Sequence, residues 1–194
     1  MSIRTGARKL RSLVLKSSRG LMCYARIIRA KLLLDGVSIP WSASLGRGVF
    51  LQATDGGSIV IGAKTCISPG CHLTAQGGGL VIGADCFIGI GCVITCKSGI
   101  DIGDDALIAE YVTIRDQDHA FPAGARIREA GFDTSPVTIG SDVWLAAKSS
   151  VLKGSRIGGG CVVGAHAVVK GVVPGNSVVA GIPARLVRER VHGR

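Results

Sequence analysis

Aromatic side chains are scarce in this sequence and make up only 4% of its 194 residues. A core assembled from large rings is therefore not expected, although apolar residues reach 47% and glycine occurs 29 times. This mixture predicts one domain whose continuous core consists of many similar thin layers of Val, Ile, Ala, Gly and Cys.

Acidic residues are absent from the first 34 positions, which carry nine Lys or Arg residues. The other 160 residues contribute only +1 to the net charge of +10, so the basic character belongs to one segment. Arg and Lys interrupt the apolar runs of this segment, so neither a signal-peptide core nor a membrane span is expected. The segment also lacks interleaved aromatic residues and any reader motif, so nucleic acid is not an expected partner.

The seven cysteines are an odd number and no secretory signal accompanies them. Such a set is typical of a cytoplasmic protein whose thiols stay reduced.

Aliphatic residues recur every six positions along most of the chain. The longest uninterrupted series runs through Ile139, Leu145, Val151, Ile157, Val163 and Val169. Earlier series run through Ile61, Ile67 and Leu73, through Ile82, Ile88, Ile94 and Ile100, and through Ile102, Ile108 and Ile114. Because six is a multiple of the strand period of two and not a helical period, each unit predicts one short strand followed by a turn.

The residues around each repeated aliphatic position follow a pattern of their own. Glycine often comes next, where a Cβ would crowd the turn, and the fifth residue of the unit is small or modest in size. Cysteines occupy that small inward position at Cys71, Cys86, Cys92 and Cys161, where a thiol acts as a small hydrophobe. For Cys23, Cys66 and Cys96 the pattern does not decide between this role and a ligand or redox role.

The repeat resembles the hexapeptide-repeat proteins, whose units of aliphatic residue, glycine and small residue form a left-handed parallel β-helix. The resemblance covers roughly residues 37–185. It implies an all-β domain over 37–184 in which three units make one triangular coil; the left-handed sense comes from the family and not from the spacing.

The two ends of the repeat must be covered, because a β-helix leaves an open strand edge at each end. Residues 1–36 are expected to be a basic, amphipathic, helical segment that breaks near 17–20. Its first helix has an apolar face of Leu10, Leu13 and Val14, and its second a face of Leu21, Tyr24, Ala25, Ile28 and Leu32. Two interpretations stay open and compatible: a cap whose charges face water, or a surface for anionic lipid or an anionic substrate. Residues 185–194 are expected to be a basic tail.

The six-residue period stops inside the stretch IRDQDHAFPAGARIREAGFDTSP, residues 114–136. A long loop without regular structure is predicted over 115–136, and such loops in compact domains are commonly functional. His119 is the last residue before the loop opens. An imidazole titrates near neutral pH, so His119 can remove a proton from an attacking hydroxyl or amine. Three converging imidazoles would be needed for a catalytic zinc, and no second His lies near His119, so no metal is expected.

The second half of the chain closely resembles the hexapeptide acetyltransferases, through SPVTIGSDVWLAAK and GIPARLVR. DQDHAF before the loop is most similar to the branch that O-acetylates sugars of bacterial surface polysaccharides or their precursors. The resemblance implies an acetyl-CoA-dependent acetyltransferase with His119 as general base, and the residues it assigns to coenzyme A are Trp144, Ala147, Ala165, Lys170, Arg185 and Arg188. Asp116 and Asp118 could orient His119 or solvate the loop, and with Arg126 and Arg128 they are the candidates for acceptor contacts.

The resemblance also implies a homotrimer with sites between neighbouring subunits. A cytoplasmic enzyme is expected, with peripheral contact at the inner face of a membrane through its basic N-terminus. Two alternatives stay open: N-acetylation of an amino sugar nucleotide, and a scaffold without catalytic activity.

Overall fold

The computed structural model describes residues 21–190. The first predicted helix, the break near 17–20 and the last four residues of the predicted tail lie outside this range. Helix α1 occupies residues 21–33. The strands that follow it are, in chain order, β1 Val37–Ser38, β2 Ser44–Leu45, β3 Phe50–Thr54, β4 Ser58–Ile61, β5 Cys66–Ile67, β6 His72–Gln76, β7 Gly79–Ile82, β8 Phe87–Ile88, β9 Val93–Cys96, β10 Ile100–Ile102, β11 Leu107–Ile108, β12 Thr113–Arg115, β13 Gln117–His119, β14 Phe132–Thr134, β15 Val137–Ile139, β16 Trp144–Leu145, β17 Ser150–Val151, β18 Arg156–Ile157, β19 Val162–Val163, β20 Val168–Val169, β21 Val172–Val173, β22 Ser177–Ala180 and β23 Arg185–Glu189.

The strands form three parallel sheets that are the faces of a triangular left-handed β-helix, as predicted. Face A contains β1, β4, β7, β10, β15, β18 and β21; face B contains β2, β5, β8, β11, β16, β19 and β22; face C contains β3, β6, β9, β12, β17 and β20. The chain visits A, B and C in turn, so each strand pairs with its equivalents one coil away. The edge where face B meets face C is corner BC, and the edge where face C meets face A is corner CA.

The repeated aliphatic residues point into the β-helix, which confirms the six-residue interpretation. Ile82, Ile88 and Ile94 are fully buried, and the equivalent residues of neighbouring coils stack on them. Where a glycine follows the aliphatic residue, the close approach of successive coils requires it. A Cβ added at Gly62 would lie 2.3 Å from the carbonyl carbon of Gly83 in the next coil, which no side chain can occupy.

The cysteines are free thiols, and the four assigned to the small inward position are buried. Cys96 is buried as well, whereas Cys23 and Cys66 are half-buried. Burial raises the pKa of the Cys96 thiol to about 12, and the nearby negative charge of Asp116 adds to this effect. The Cys96 thiol therefore behaves as a small core residue.

Helix α1 covers the N-terminal end of the β-helix with a different face from the one predicted. Ile27 and Ala30 are buried, and Cys23 and Leu34 pack against the core beside them. Arg26 donates from Nη1 to the carbonyl oxygen of Leu45 at 2.7 Å.

The predicted face of α1 lies on the opposite side, and its large residues Leu21, Tyr24, Ile28 and Leu32 are exposed. The helix carries two apolar stripes, and the stripe of Cys23, Ile27, Ala30 and Leu34 is the one that packs against the β-helix. Within the described residues no helix is long and apolar enough to cross a membrane.

The C-terminal end corrects the expectation of a simple tail. Residues Arg185–Glu189 form β23, which pairs antiparallel with β22 and covers the last open edge of face B. The chain reverses at Gly181, whose φ of +97° is accessible to glycine.

The predicted loop is also more ordered than expected. Its two ends form a hairpin in which Gln117–His119 pairs antiparallel with Phe132–Thr134, and a short 3-10 helix, Ile127–Glu129, lies beyond it. The hairpin leaves the β-helix at corner CA, between the coils of β9 and β17.

Candidate active site

His119 lies at the end of β13, exposed to solvent and directly opposite Phe132 of β14. The two ring centroids are 4.6 Å apart with an interplanar angle of 30°. Lys97, which follows β9 in the preceding coil, places Nζ 4.9 Å from the centroid of the Phe132 ring. The imidazole is therefore supported on one side by an aromatic ring and open to a substrate on another.

Asp118, the residue before His119, faces the β-helix. Its carboxylate lies 3.9 Å from Nζ of Lys153, and the same ammonium contacts the carboxylate of Asp133 on the other strand of the hairpin. Lys153 follows β17 in the next coil, and only 18% of its side chain is exposed. This ion pair connects the hairpin to the rigid body of the β-helix.

Asp116 has a different place from the one predicted for a residue that contacts the acceptor. It is fully buried below the hairpin, at corner CA. Its carboxylate accepts backbone N–H hydrogen bonds from Lys97 at 2.8 Å, Ser98 at 2.6 Å and Gly99 at 2.7 Å, and one from the Ser98 hydroxyl at 3.1 Å. These bonds use the lone pairs of the carboxylate, so Asp116 anchors the base of the hairpin and is closed to an acceptor.

Arg126 and Arg128 lie at the far end of the insertion and are exposed. Arg126 approaches Glu129 at 3.4 Å across the 3-10 helix. The contact of both guanidinium groups with an acceptor remains a prediction.

Trp144 lies on face B, where outward residues of successive strands form one continuous column. The strand register aligns Trp144 with Val162, Val162 with Val178, and Val178 with Arg188. Neighbouring strands are about 4.8 Å apart, so the column spans roughly 14 Å of backbone from Trp144 to Arg188. Trp144 is 49% exposed, and the exposed side chains of Phe87 and Leu107 extend the column on its other side. An apolar strip that ends in a cation fits an extended anionic ligand.

Ala147 and Ala165 lie beside this column at corner BC. They occupy equivalent positions in successive coils, and the backbone N–H of His166 donates to the carbonyl oxygen of Ala147 at 3.0 Å. Arg185 pairs with Ala180 at the start of β23, on the same face as Arg188. Five of the six predicted coenzyme A residues therefore share face B and its edge.

Lys170 is the exception, because it follows β20 at corner CA. It lies on the side of the molecule that carries His119, further towards the C-terminal end. One chain thus places the proposed base and the proposed donor strip on different edges of the β-helix, separated by face C.

The residues that sequence reasoning did not identify are Lys97, Phe132, Asp133 and Lys153. The alternation of β13 and β14 could have paired Phe132 with His119 had the hairpin been predicted. No sequence signal identified the two lysines, because they contact the hairpin from other coils.

Among residues 21–190 no group of three or more His, Cys, Asp or Glu side chains could hold a metal ion.

A family model described as bacterial transferase hexapeptide (six repeats) matches residues 136–171, which contain Trp144, Ala147 and Ala165. In this segment, and in the six-residue period of its strands, the chain is similar to the hexapeptide-repeat proteins. A Mycobacterium tuberculosis protein named "probable acetyltransferase" is 37% identical over 172 residues, which cover 88% of this chain and 57% of that protein. An Escherichia coli protein named "putative lipopolysaccharide biosynthesis O-acetyl transferase" is 39% identical over 105 residues, or 48% of this chain and 52% of the relative.

Among solved structures, a galactoside acetyltransferase in complex with coenzyme A aligns with a TM-score of 0.56 and 26% identity. The alignment covers 86% of this chain and 70% of that one. The chain spans a little over half the length of the two curated relatives.

Proposed function

We propose that this protein is an acetyl-CoA-dependent acetyltransferase that O-acetylates a sugar of a bacterial surface polysaccharide or its precursor. The observation that carries the proposal is His119: an accessible imidazole on a hairpin that is fastened to a rigid β-helix. The relatives named as acetyltransferases and the structure with bound coenzyme A support the reaction class.

In the proposed reaction, acetyl-CoA supplies a thioester as acyl donor. His119 accepts the proton of the acceptor hydroxyl as the oxygen attacks the thioester carbonyl carbon. The new C–O bond replaces the C–S bond, and the imidazolium returns its proton to the departing thiolate. A general base suffices for this direct transfer, and backbone N–H groups are the usual donors to the oxyanion.

For the acyl donor we propose the strip on face B. Trp144, Ala147 and Ala165 would line the pantetheine arm, and Arg185 and Arg188 would face the phosphates. Lys170 would meet the nucleotide end from a neighbouring subunit, because it lies at the other corner.

Coenzyme A should raise the melting temperature, since a ligand that binds only the folded state stabilises it. An Arg188→Ala variant should show a smaller shift.

We further propose a homotrimer, because His119 and the Trp144 strip of one chain face different sides. In a three-fold assembly, His119 of one subunit meets face B of the next.

Mixed trimers test this arrangement directly. Ala165→Trp should fill the donor site and His119→Ala should remove the base, so each variant alone is inactive. Co-assembled subunits should recover activity, because some interfaces combine an intact His119 with an intact donor strip; a site within one chain would recover none.

The acceptor contacts we propose are Asp118, Arg126 and Arg128 on the insertion. Free sugars, nucleotide sugars and a polysaccharide, each assayed for release of coenzyme A, would identify the acceptor class.

N-acetylation of an amino sugar nucleotide is the alternative reaction, because proton removal serves oxygen and nitrogen nucleophiles alike. A non-catalytic scaffold is the other alternative, and it predicts no thermal shift with coenzyme A. Full turnover by His119→Ala would refute the mechanism.

The location we propose is the cytoplasm, with peripheral contact at the inner face of the membrane. Helix α1 supports this contact, because Leu21 is 74% and Leu32 76% exposed on its outer face. A groove beside the helix continues the apolar surface along Leu33, Val49 and Phe50 and has Arg29 in its wall. An amphipathic helix with cationic neighbours fits anionic lipid.

The lipid contact is tested by co-sedimentation with phosphatidylglycerol vesicles and, as control, phosphatidylcholine vesicles. Binding should favour the anionic vesicles, weaken with salt, and be lost in an Ile28→Glu, Leu32→Glu variant. Equal binding of the unmodified protein and the double variant to both kinds of vesicle would contradict the proposed lipid contact.

A further inference from the structure

The hairpin that carries His119 contains a pair of like charges that its own strands cannot stabilise. Asp118 and Asp133 are directly opposite each other in the register of β13 and β14. Like charges at directly opposed positions destabilise a strand pair. Both carboxylates instead contact the ammonium of Lys153, whose side chain is mostly buried between the hairpin and the β-helix.

A second lysine contacts the hairpin from the coil that precedes the insertion. Lys97 places its ammonium over the ring of Phe132, and Phe132 lies against the imidazole of His119. The backbone of Lys97 is fixed in turn, because its N–H donates to the buried carboxylate of Asp116. The coil before the insertion and the coil after it thus each contribute one lysine to the hairpin.

We infer that Lys97 and Lys153 are positioning residues that hold the imidazole of His119 from the two neighbouring coils. Lys153 neutralises the opposed carboxylates and keeps β13 and β14 paired. Lys97 fixes Phe132, the ring that limits the rotation of His119. The catalytic consequence rests on the proposed role of His119 as base, whereas the structural consequence does not.

Hydrogen exchange of the full-length protein tests the structural part without any assay of activity. Lys153→Met retains the length of the side chain and removes its charge. The peptide covering 117–134 should then exchange about fivefold faster, because the opposed carboxylates repel and the strands separate more often. Lys153→Arg should restore protection. Lys64→Met is the matched control, since it also removes a surface ion pair, with Asp85, at a distant corner.

A double variant separates the electrostatic role from simple packing. Asp133→Asn removes the repulsion, so in Lys153→Met, Asp133→Asn the exchange rate should return towards that of the unmodified protein. Additive acceleration in the double variant would overturn the inference, as would unchanged exchange in Lys153→Met.

The kinetic readout is kept separate. Lys153→Met should lower kcat about fivefold and leave KM for acetyl-CoA unchanged, because the donor strip is on another face. A faster-exchanging hairpin with unchanged kcat would overturn the positioning role. If His119→Ala were fully active, the proposed base would fail while the hydrogen-exchange result for Lys153 could still stand.

Discussion

The coil that carries the insertion and the regular coils beside it are stabilised in different ways. In the regular coils, inward residues such as Ile88 and Ile94 stack on equivalents above and below. At the insertion the chain leaves this ladder, and a buried carboxylate, two lysines and an aromatic pair replace it. Repeated apolar contacts stabilise the regular coils. The hairpin that carries His119 is held instead by individual contacts with residues of the neighbouring coils.

The largest effect is expected at His119, the proposed base on the insertion. His119→Ala should lower kcat/KM by about 10²–10⁴-fold, the usual contribution of a general base. Because His119 is exposed, the melting temperature should change little, as differential scanning fluorimetry would check. His72→Ala, an exposed histidine of β6 on face C, is the control and should keep full activity.

The two kinds of stabilisation can be compared through one residue of each. Ile94→Ala should cost about 2–5 kcal/mol of unfolding free energy, because it leaves a cavity in the stacked core. Asp116→Ala should cost about 1–3 kcal/mol for each buried N–H donor that it leaves unpaired. Chemical denaturation measures both.

Their effects on the hairpin should differ. Only Asp116→Ala should also increase trypsin cleavage at Arg126 and Arg128 under native conditions. Equal cleavage of the two variants would show that Asp116 contributes to general stability and does not anchor the insertion.

A smaller effect is expected on face B. Trp144→Ala should raise KM for acetyl-CoA about two- to tenfold, which corresponds to the energy of one aromatic contact. Stability should change little, because the indole points outward. Val60→Ala, an exposed residue of face A, is the comparison, and a similar rise in KM there would remove the reason to place the donor on face B.

The smallest effect at neutral pH concerns the core thiols. The pKa of Cys96 is raised to about 12 in the folded protein, against 9.0 for a free thiol. Between about pH 9 and pH 12 the unfolded chain loses this proton and the folded chain keeps it, so the unfolding free energy falls as pH rises through that window. Cys96→Ala should make this fall shallower without changing the behaviour near pH 7. An identical slope in both proteins would contradict the shift.

The sequence was sufficient to predict the β-helix, because the six-residue period repeats the same local rule many times and a single error does not change the result. The inward cysteines followed from the same rule. The face of α1 that packs was not predictable from the helix alone, since it has two apolar stripes, and only the contact with the β-helix distinguishes Ile27, which is buried, from Ile28, which is exposed.

Some residues of the candidate site were predictable from the six-residue period and others were not. Trp144, Ala147 and Ala165 follow the repeat, so their positions on one edge were accessible from the pattern. The roles of Asp116, Lys97 and Lys153 depend on contacts between different coils at the place where the period is broken. No local pattern connects Asp118 with a lysine thirty-five positions later, and only the folded chain brings them together.

The insertion begins and ends at the same corner, where the backbone N–H of Ser135 donates to the carbonyl oxygen of Asp116 at 2.9 Å. A segment whose ends meet this closely can be exchanged for another without shifting the coils on either side. Hairpins of other lengths and compositions could therefore be grafted between Asp116 and Ser135 while the β-helix stays unchanged, and such grafts would change which acceptor the proposed reaction uses.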